Sequence, residues 1–418
     1  MPEFLKLIPP AEALNLLLDS LPPQEPESEQ VDTVRALGRV TAVEIKATHP
    51  LPAFPRSTMD GYAVRSADTF GASDSVPGYL TFCGEVPMGA APGFGLEGGQ
   101  AAGIHTGGML PAEADAVIPL EQTQKLQTGE IEILRAVAAG ENIIAVGEDV
   151  GQGQVVIPSE IKLRPAEIGG CMALGITRVS VAIRPRIGII SSGDEVVRPE
   201  ADPQPGQVRD VNSYTLDALV NAAGGEPVPY GIVPDKLDQM KIIAARALSE
   251  CHALVITAGS SASARDMTAE AIVSLGQPGV LVHGVSVRPG KPTILGVCSG
   301  KAVIGLPGNP VSALVIAGLF VVPVIHRLLG LKRERPAAAC DATLTVNVAS
   351  QAGREDWVPV KLIPAPAESG EREAWQAEPI FAKSNLIFSL AAADGLIRIP
   401  TEVTGLAAGE RVRVLLLE

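Results

Sequence analysis

The sequence predicts a multi-domain α/β protein, in which a central, mostly parallel α/β domain is combined with a β-rich insertion, a small connecting domain and a C-terminal β-barrel. Three observations predict this fold class. Residues 183–330 alternate short β-branched runs with helical periods, residues 51–149 are glycine-rich and lack a helical period, and the chain alternates again after residue 331. A length of 418 residues also exceeds what one ordinary hydrophobic core holds.

The α/β region can be divided into elements. "RIGIISSG" predicts a strand and "NSYTLDALVNAAGG" a helix, with Ser213 as its N-cap and Gly224 near its end. Further helices are expected at "KLDQMKIIAARALSEC", "RDMTAEAIVSLG" and "NPVSALVIAGLFVVPVIHRLLG", and further strands at "ALVITAG", "GVLVHGVSV" and "KAVIGLP". Such alternation produces right-handed βαβ crossovers, so we expect a mostly parallel sheet with helices on both faces. Ligands of such sheets bind beyond the carboxyl ends of the strands.

The rest of the chain divides where its composition changes. The expected units are an N-terminal helix within 1–26 that packs on the α/β domain, a connecting domain formed by 27–50 and 150–182, the β-rich insertion at 51–149, the α/β domain at 183–330 and a β-barrel at 331–418. The barrel follows a charged, proline-terminated boundary, "LLGLKRERP".

Composition excludes several classes of function. A net charge of -14 disfavours non-specific binding to nucleic acid or to an anionic membrane. The five cysteines are scattered and lack CxxC spacing, so neither a disulfide framework nor a zinc site is supported. The longest apolar run, "SALVIAGLFVVPVI", contains Pro323 and is too short for a spanning helix, so it predicts a buried helix in a cytoplasmic protein.

Acidic side chains recur where the strands of the α/β domain are expected to end: Asp194, Glu195, Asp235 and Asp266. Mg²⁺ prefers hard oxygen ligands, which carboxylates, water and phosphates supply. Singly, each acid is best explained as a helix cap or a solvated charge, but four of them at one edge of a sheet favour a site. Their neighbours Ser192 and Gly193 belong to the same candidate ligand-binding segment, "SSGDE".

The loop "GSSASARD" is a second candidate for ligand binding. Gly259, Ser260 and Ser261 precede a predicted helix, so hydroxyl and backbone N–H groups there would suit an anion. An ordinary turn between a strand and a helix would have the same composition.

Two Pro-Gly turns form the third candidate. In "VRPGKP", Arg288 and Lys291 flank Pro289 and Gly290; the two cations could be ordinary surface charge, but an anionic ligand of an acidic protein would require such local positive charge. In "GLPGNPVSA", Pro307 and Gly308 lead into Asn309 and Pro310, a suitable N-cap and first residue of a helix. We expect the turns to lie a short strand apart.

The β-rich insertion contributes three candidates: Asp60 before a glycine, Thr106 beside two glycines, and Asp149 where the insertion returns to the connecting domain. His105 and His283 are isolated from any second histidine or cysteine at ligand spacing, which argues against metal binding through imidazole. No Ser/His/Asp nucleophile arrangement can be argued from the sequence.

Taken in order, these stretches resemble the molybdopterin molybdenumtransferase family, which includes the C-terminal domain of the scaffold protein gephyrin. The resemblance runs over essentially the whole chain and rests on "STMDGYAVR", "HTGGMLP" with "ADAVIP", "GEN" with "GEDV", "RPRIGIISSGDEV", "GQVRDVNSYTL", "VRPGKP" and "GLPGNPVSA". Any one of these motifs is moderately specific, whereas seven in sequence are strong.

The resemblance implies an enzyme that inserts molybdate into adenylylated molybdopterin and releases AMP in a Mg²⁺-dependent step of molybdenum cofactor synthesis. It also implies an elongated subunit that dimerises, with the active cleft between the α/β domain of one subunit and the insertion of the other, and a molybdopterin adenylyltransferase as upstream donor. By resemblance, the Pro-Gly turns shape the floor of the pterin and nucleotide pocket. The implied functional residues are Asp60, Thr106 and Asp149 in the insertion, Glu195, Asp235 and Asp266 as catalytic and metal-binding acids, Arg288 and Lys291 as the basic turn, and Ser384 in the last domain.

The sequence departs from the family's pattern in three places. It has "AGSSASA" where a "GGVSVG"-like loop is usual, Gly284 where many members carry lysine, and no arginine in "NIIAVGED". The missing cations leave open a binding or scaffold homologue with reduced activity, and we expect Arg265 to compensate. A tungstate-preferring transferase also stays open, while the insertion and barrel argue against one of the smaller adenylyltransferases.

Overall fold

The computed structural model describes residues 7–23, 25–258, 262–332, 336–365 and 375–417. The helices are α1 (Pro10–Asp19), α2 (Pro165–Ala173), α3 (Asn212–Ala223), α4 (Leu237–Glu250), α5 (Ala262–Ser274), α6 (Pro310–Leu328) and α7 (Phe388–Ala391). The strands before residue 183 are β1 (Ser28–Asp32), β2 (Ile45–Lys46), β3 (Arg56–Ser57), β4 (Gly61–Val64), β5 (Gly78–Glu85), β6 (Gln100–Ile104), β7 (Ala116–Pro119), β8 (Thr123–Lys125), β9 (Glu130–Ile133), β10 (Ile143–Ile144), β11 (Val155–Ile157) and β12 (Arg178–Ala182).

The strands of the second half begin with the α/β region. They are β13 (Arg186–Ser192), β14 (Val196–Val197), β15 (Val208–Arg209), β16 (Glu226–Val233), β17 (Ala253–Ala258), β18 (Pro278–His283), β19 (Val287–Arg288), β20 (Ile294–Cys298) and β21 (Lys301–Pro307). After α6 follow β22 (Ala339–Leu344), β23 (Val348–Ala349), β24 (Glu355–Pro364), β25 (Trp375–Pro379), β26 (Gly395–Ile399), β27 (Gly405–Leu406) and β28 (Arg411–Leu416).

The central sheet has the strand order β16-β13-β17-β21-β20-β18. The first four strands are parallel, whereas β20 pairs antiparallel with both of its neighbours, so the sheet is mostly parallel as the sequence predicts. Helices cover both faces: α1, α3 and α6 pack on one side, with Phe320 and Leu17 fully buried, and α4 and α5 pack on the other. This double cover explains the continuous apolar runs of the strands.

Two local predictions in this region need correction. The strand β20 was not predicted: it forms a hairpin with β21 through Ser299 and Gly300, both at positive φ, so the two Pro-Gly turns are separated by a hairpin and not by one strand. Helix α3 begins one residue before Ser213, whose backbone N–H donates to Asp210 Oδ1 at 3.1 Å, so Asp210 satisfies that free N–H and Ser213 is not the N-cap. Gly224 ends α3 at φ 96°, as predicted.

The other parts are built from β-structure. Within residues 61–133, six strands form a sheet in the order β7-β4-β6-β5-β9-β8. Near it, β1 pairs with β12 and β2 with β11, and α2 packs with them in one apolar cluster. After residue 338, the strands β24, β25, β22, β28 and β26 close into a five-stranded barrel because β26 pairs back to β24. The predicted C-terminal barrel is confirmed.

Helix α6 has the length and apolar composition of a membrane span, with a mean hydropathy of 2.1, but 56% of that stretch is buried inside the protein. A mostly buried helix of this kind belongs to a core, which agrees with the predicted buried helix. Among the cysteines, Cys171, Cys251 and Cys298 are buried and free, and Cys83 is exposed.

Candidate functional site

A cavity of about 530 Å³ lies between the two Pro-Gly turns of the α/β domain and the C-terminal barrel. Its size falls within the range of small-molecule sites. Residues of both turns line it together with residues of the barrel. The lining includes four basic residues (Arg288, Lys291, Arg354, Lys383), the polar residues Asn309, Ser312 and Ser384, and the aromatic residues Trp357 and Phe381.

The first turn is held by the barrel on one side and by α6 on the other. Val287 and Arg288 form β19, which pairs in parallel with Glu355 and Asp356 at the start of β24. The Arg288–Pro289 peptide is cis, and Gly290 follows at φ 119°. A Cβ on Gly290 would lie 2.3 Å from the side chain of Ile316 in α6, so only glycine fits there.

The second turn begins where β21 ends at Pro307 and leads into α6. Asn309 occupies the N-cap position and Pro310 the first turn of the helix, as predicted, but the Asn309 side chain makes no capping hydrogen bond. Its Nδ2 instead donates to Ser384 Oγ at 3.1 Å. The carbonyl oxygen of Gly308 accepts a bond of 2.9 Å from Asn212 Nδ2, which ties the turn to α3.

Both turns lie at the same edge of the central sheet. Ile294, the first residue of β20, pairs with Gly305 near the end of β21, because the two strands are antiparallel. Pro307 in turn pairs with Ala258 at the end of β17. The cavity therefore adjoins the edge formed by the carboxyl ends of the parallel strands, the usual place for ligands in such sheets.

The charges of the cavity are organised around Asp356, which is 2% exposed. Arg354 donates through Nε and Nη2 to the two oxygens of Asp356 at 2.6 and 2.9 Å. Arg288 Nη1 lies 3.8 Å from Asp356 Oδ2. Sequence reasoning missed Arg354, Lys383, Trp357 and Phe381, and the available signal was the charged run "GRED" directly before an aromatic residue and an alternating strand.

The acidic segment after β13 meets the end of β16. Ser192 Oγ donates to Asp235 Oδ1 at 2.7 Å, and the backbone N–H of Asp235 donates to Asp194 Oδ1 at 3.2 Å. Glu195 folds back over the preceding glycine, since its Oε2 lies 2.8 Å from where a Cβ on Gly193 would stand. The structure thus brings Ser192, Gly193, Asp194, Glu195 and Asp235 together, as expected from their strand ends.

The predicted metal set is not assembled in the same way. Asp266 is exposed and lies on α5, which begins at Ala262, three residues before the predicted helix. In the parts of the chain that the structure describes, no group of three His, Cys, Asp or Glu residues could hold a metal ion on its own. Gly259, Ser260 and Ser261 lie outside the described residues, as do the side chains of Ser263 and Arg265.

The insertion contains a separate acidic centre. Asp60 Oδ1 accepts bonds from the backbone N–H of Thr106 at 2.7 Å and from Thr106 Oγ1 at 3.1 Å, and His105 Nδ1 lies 3.6 Å away. These hydrogen bonds, the backbone one first, lower the pKa of Asp60 below its ordinary value. Asp149 stands apart at the return to the connecting part, where its N–H donates to Leu51 O at 3.1 Å. None of the three predicted residues lines the cavity.

The backbone explains one of the three departures from the family's sequence pattern, the glycine at position 284. Gly284 has a φ of 106°, in the region that favours glycine, and its N–H donates to Thr293 O at 2.9 Å. A lysine at this position would be strained. The lysine usual at position 284 is missing from this chain, but Arg354 and Lys383 of the barrel add positive charge to the cavity.

Comparison with family models gives three matches in chain order. Residues 8–175 match the MoeA N-terminal region (domain I and II), residues 188–327 match a probable molybdopterin binding domain, and residues 341–417 match the MoeA C-terminal region (domain IV). Together these matches span most of the chain.

Individual proteins are similar over nearly the whole length. The chain is 36% identical over 399 residues to a putative molybdopterin biosynthesis protein of Methanocaldococcus jannaschii, covering 93% of this chain and 92% of that one. It is 32% identical over 410 residues to a molybdopterin molybdenumtransferase of a Nostoc species, covering 96% and 92%. The crystal structure of a molybdopterin biosynthesis moeA protein from Pyrococcus horikoshii superposes with a TM-score of 0.85 at 33% identity, covering 99% of this chain and 100% of that chain.

Proposed function

Because the chain belongs to the molybdopterin molybdenumtransferase family, we propose that it inserts molybdate into adenylylated molybdopterin and releases AMP. Its place as an enzyme of molybdenum cofactor biosynthesis follows from the family. The chemistry of the insertion step, its metal requirement and its residues are our proposal.

The observation that carries the proposal is the cavity with four basic residues in a chain of net charge -14. The reaction needs an oxyanion held beside a dithiolene while a phosphoanhydride is cleaved, so several negative charges must be offset at once. Arg288 and Lys291 approach from the α/β side, and Arg354 and Lys383 from the barrel. Such local charge concentrates an anion that the rest of the protein repels.

The acidic segment suits Mg²⁺ that is shared with the substrate. Mg²⁺ is commonly bound through one or two carboxylates together with substrate phosphates and water. Asp194 accepts a bond from the backbone N–H of Asp235, and Glu195 adjoins the same segment, so one or two carboxylates could serve Mg²⁺ together with substrate phosphates. Bound at this edge, Mg²⁺ would neutralise phosphate charge, and we propose that Asp266 adds to this set from α5.

The Asp60 centre supports a homodimer in our proposal. Asp60 and Thr106 share two hydrogen bonds, yet they lie outside the cavity. A second copy of the chain that brings its insertion to this cavity would complete the cleft that the family resemblance implies, with Asp149 at its edge. We further propose that a molybdopterin adenylyltransferase supplies the substrate in the cytoplasm.

AMP release tests the proposal. Purified protein is given adenylylated molybdopterin, Mg²⁺ and either molybdate or tungstate, and AMP is measured over time. We expect oxyanion-dependent release that Arg288→Ala reduces at least tenfold, as loss of one charged contact predicts. Arg411→Ala is the matched control, because Arg411 is an exposed barrel arginine that does not line the cavity. Binding of the pterin without AMP release would instead favour the scaffold homologue, and faster release with tungstate the tungstate-preferring enzyme.

A further inference from the structure

We propose that Asp356 is a positioning residue, which holds Arg354 and Arg288 side by side at the cavity and thereby sets the affinity of the enzyme for its oxyanion. The inference rests on the proposed function of the cavity and adds a lining residue whose role is to position two cations. It is carried by burial, by hydrogen-bond geometry and by strand register.

Asp356 and Arg354 form a bidentate salt bridge. The Nε and Nη2 groups donate to separate carboxylate oxygens at 2.6 and 2.9 Å, while the Asp356 side chain is only 3% exposed and that of Arg354 is 28% exposed. A bidentate pair fixes the plane of the guanidinium as well as its position. The pair uses Nε and one N–H of Nη2, so the other guanidinium N–H groups of Arg354 are not engaged by Asp356, and both residues line the cavity.

The second cation comes from a different part of the chain. In the parallel pairing of β19 with β24, Arg288 stands opposite Asp356, and this places Arg288 Nη1 3.8 Å from Asp356 Oδ2. The register is reinforced next to it, since Ser286 Oγ donates to Gly353 O at 2.7 Å and Glu355 N–H donates to Ser286 O at 2.9 Å. One buried carboxylate therefore sits between a cation of the α/β domain and a cation of the barrel.

The carboxylate of Asp356 reduces the repulsion between Arg288 and Arg354. Two arginines brought together without a counter-charge would repel each other and turn towards solvent. Asp356 offsets one of the two charges, so the three side chains together keep a net positive charge of one at the cavity, in addition to Lys291 and Lys383. Preorganised cations of this kind need no rearrangement when an anion arrives.

The chain contains its own control in the preceding residue. Glu355 is also buried, at 4% exposed, and is also paired with an arginine, since Arg398 Nε donates to Glu355 Oε2 at 2.8 Å. Successive residues of a strand point to opposite faces, and neither Glu355 nor Arg398 lines the cavity. Glu355 Oε1 also accepts a bond of 2.8 Å from Nε1 of Trp357, a lining residue, and a glutamine at position 355 keeps an oxygen that can accept it. The two acids thus share burial and pairing with an arginine but differ in whether that arginine lines the cavity.

The experiment compares Asp356→Asn with Glu355→Gln in the full chain. Oxyanion binding is measured by calorimetry with molybdate and with tungstate, AMP release gives KM and kcat, and the unfolding temperature reports the fold. We expect Asp356→Asn to weaken oxyanion binding and raise the KM for molybdate by about tenfold or more, with kcat changed much less, because a supporting residue outside the ligand contacts usually has effects of that size. Glu355→Gln is expected to lower the unfolding temperature without changing KM.

Two further variants keep the test decisive. Arg354→Lys keeps the charge but loses the bidentate salt bridge, so combined with Asp356→Asn it should cost little more than either change alone, because both remove the same arrangement. If Asp356→Asn does not fold, Arg354→Lys alone is measured in its place, and an unchanged KM in that folded variant overturns the inference. Equal KM changes in the Asp356 and Glu355 variants also overturn it, as they would reveal a general effect of stability. Wild-type protein that neither binds oxyanion nor releases AMP would refute the proposed function itself, and the inference with it.

Discussion

Asn309 at the start of α6 donates through Nδ2 to Ser384 Oγ at 3.1 Å, and the backbone N–H of Val311 donates to Ser384 O at the same distance. The second Pro-Gly turn is therefore fastened to a loop of the barrel by both the side chain and the backbone of one serine. Asn309 stands at the N-cap position of α6, but its side chain makes no capping hydrogen bond and instead connects the turn to the barrel.

We predict that Ser384→Ala weakens oxyanion binding by severalfold while lowering the free energy of unfolding by no more than about 1 kcal/mol, since one neutral hydrogen bond is lost at the surface of the cavity. Calorimetric titration with molybdate measures the first and denaturant unfolding the second. Ser389→Ala is the matched control, because Ser389 also lines the cavity but its Oγ bonds within its own turn, to Leu386 O. Equal losses in both variants would argue against a special role of the Asn309 contact.

The glycine of the first turn allows a sharper steric prediction. Gly290→Ala should lower both the unfolding temperature and the affinity for oxyanion, because the new methyl group would meet Ile316 at 2.3 Å and the backbone has a φ of 119°. Gly318→Ala is the control in the same helix as Ile316: no atom lies within 4 Å of its Cβ position, so it should stabilise the protein by about 0.5–1 kcal/mol. Thermal unfolding of the two variants checks the opposite signs.

The start of α2 makes a pH-dependent contribution to stability. Hydrogen bonds from the Arg164 side chain, outweighing burial, lower the pKa of Glu167 from 4.5 to about 2. A depressed carboxyl pKa stabilises the fold above the ordinary pKa, and this stability is lost as the pH falls from about 4.5 towards 2. Glu167→Gln should therefore cost stability at pH 7 but progressively less below pH 4.5. Urea unfolding from pH 7 down to pH 3 measures this, and a pH-independent difference would contradict it.

The Asp60 centre predicts a modest titration effect. Thr106→Val removes the hydroxyl bond but keeps the backbone N–H, which is the larger cause of the lowered pKa of Asp60. The pKa of Asp60 should rise in this variant yet stay below its ordinary value. Carbon NMR of the aspartate carboxyl groups across the acid range gives the pKa directly. A return to the ordinary value would show that the hydroxyl, and not the backbone, dominates.

Much of the site could be predicted from the order of the strands. The meeting of Asp194 with Asp235 follows from two parallel strands that end at one edge, and the basic turn and the "LPGNP" turn were correctly placed at that edge. The hairpin between the turns was missed because β20, "ILGVC", is buried along its whole length and has no polar residues that would reveal a strand by alternation. Asp266 was grouped with the acids of the strand ends, although it stands at the start of the predicted helix "RDMTAEAIVSLG", and α5 begins three residues earlier than that stretch, at Ala262.

The barrel side of the cavity could not be predicted in the same way. Arg354 and Lys383 lie far along the chain from the turns and carry no recognisable spacing; the pairing of β19 with β24 and the bonds of Ser384 to Asn309 and Val311 bring them to the cavity. A two-residue strand has no periodicity to detect. Contacts that depend on such short pairings between separate domains have to be seen in the structure.

The same long-range bonds also determine when the site can exist in a newly made chain. Ser286 and Gly353 are 67 residues apart, and Asn309 and Ser384 are 75 apart. Chains are synthesised from the N-terminus and domains generally fold as they emerge, so both Pro-Gly turns are made well before their partners. A nascent chain that ends near residue 330 would carry the turns without Arg354 or Lys383, so it would lack the barrel side of the cavity and half of its basic residues.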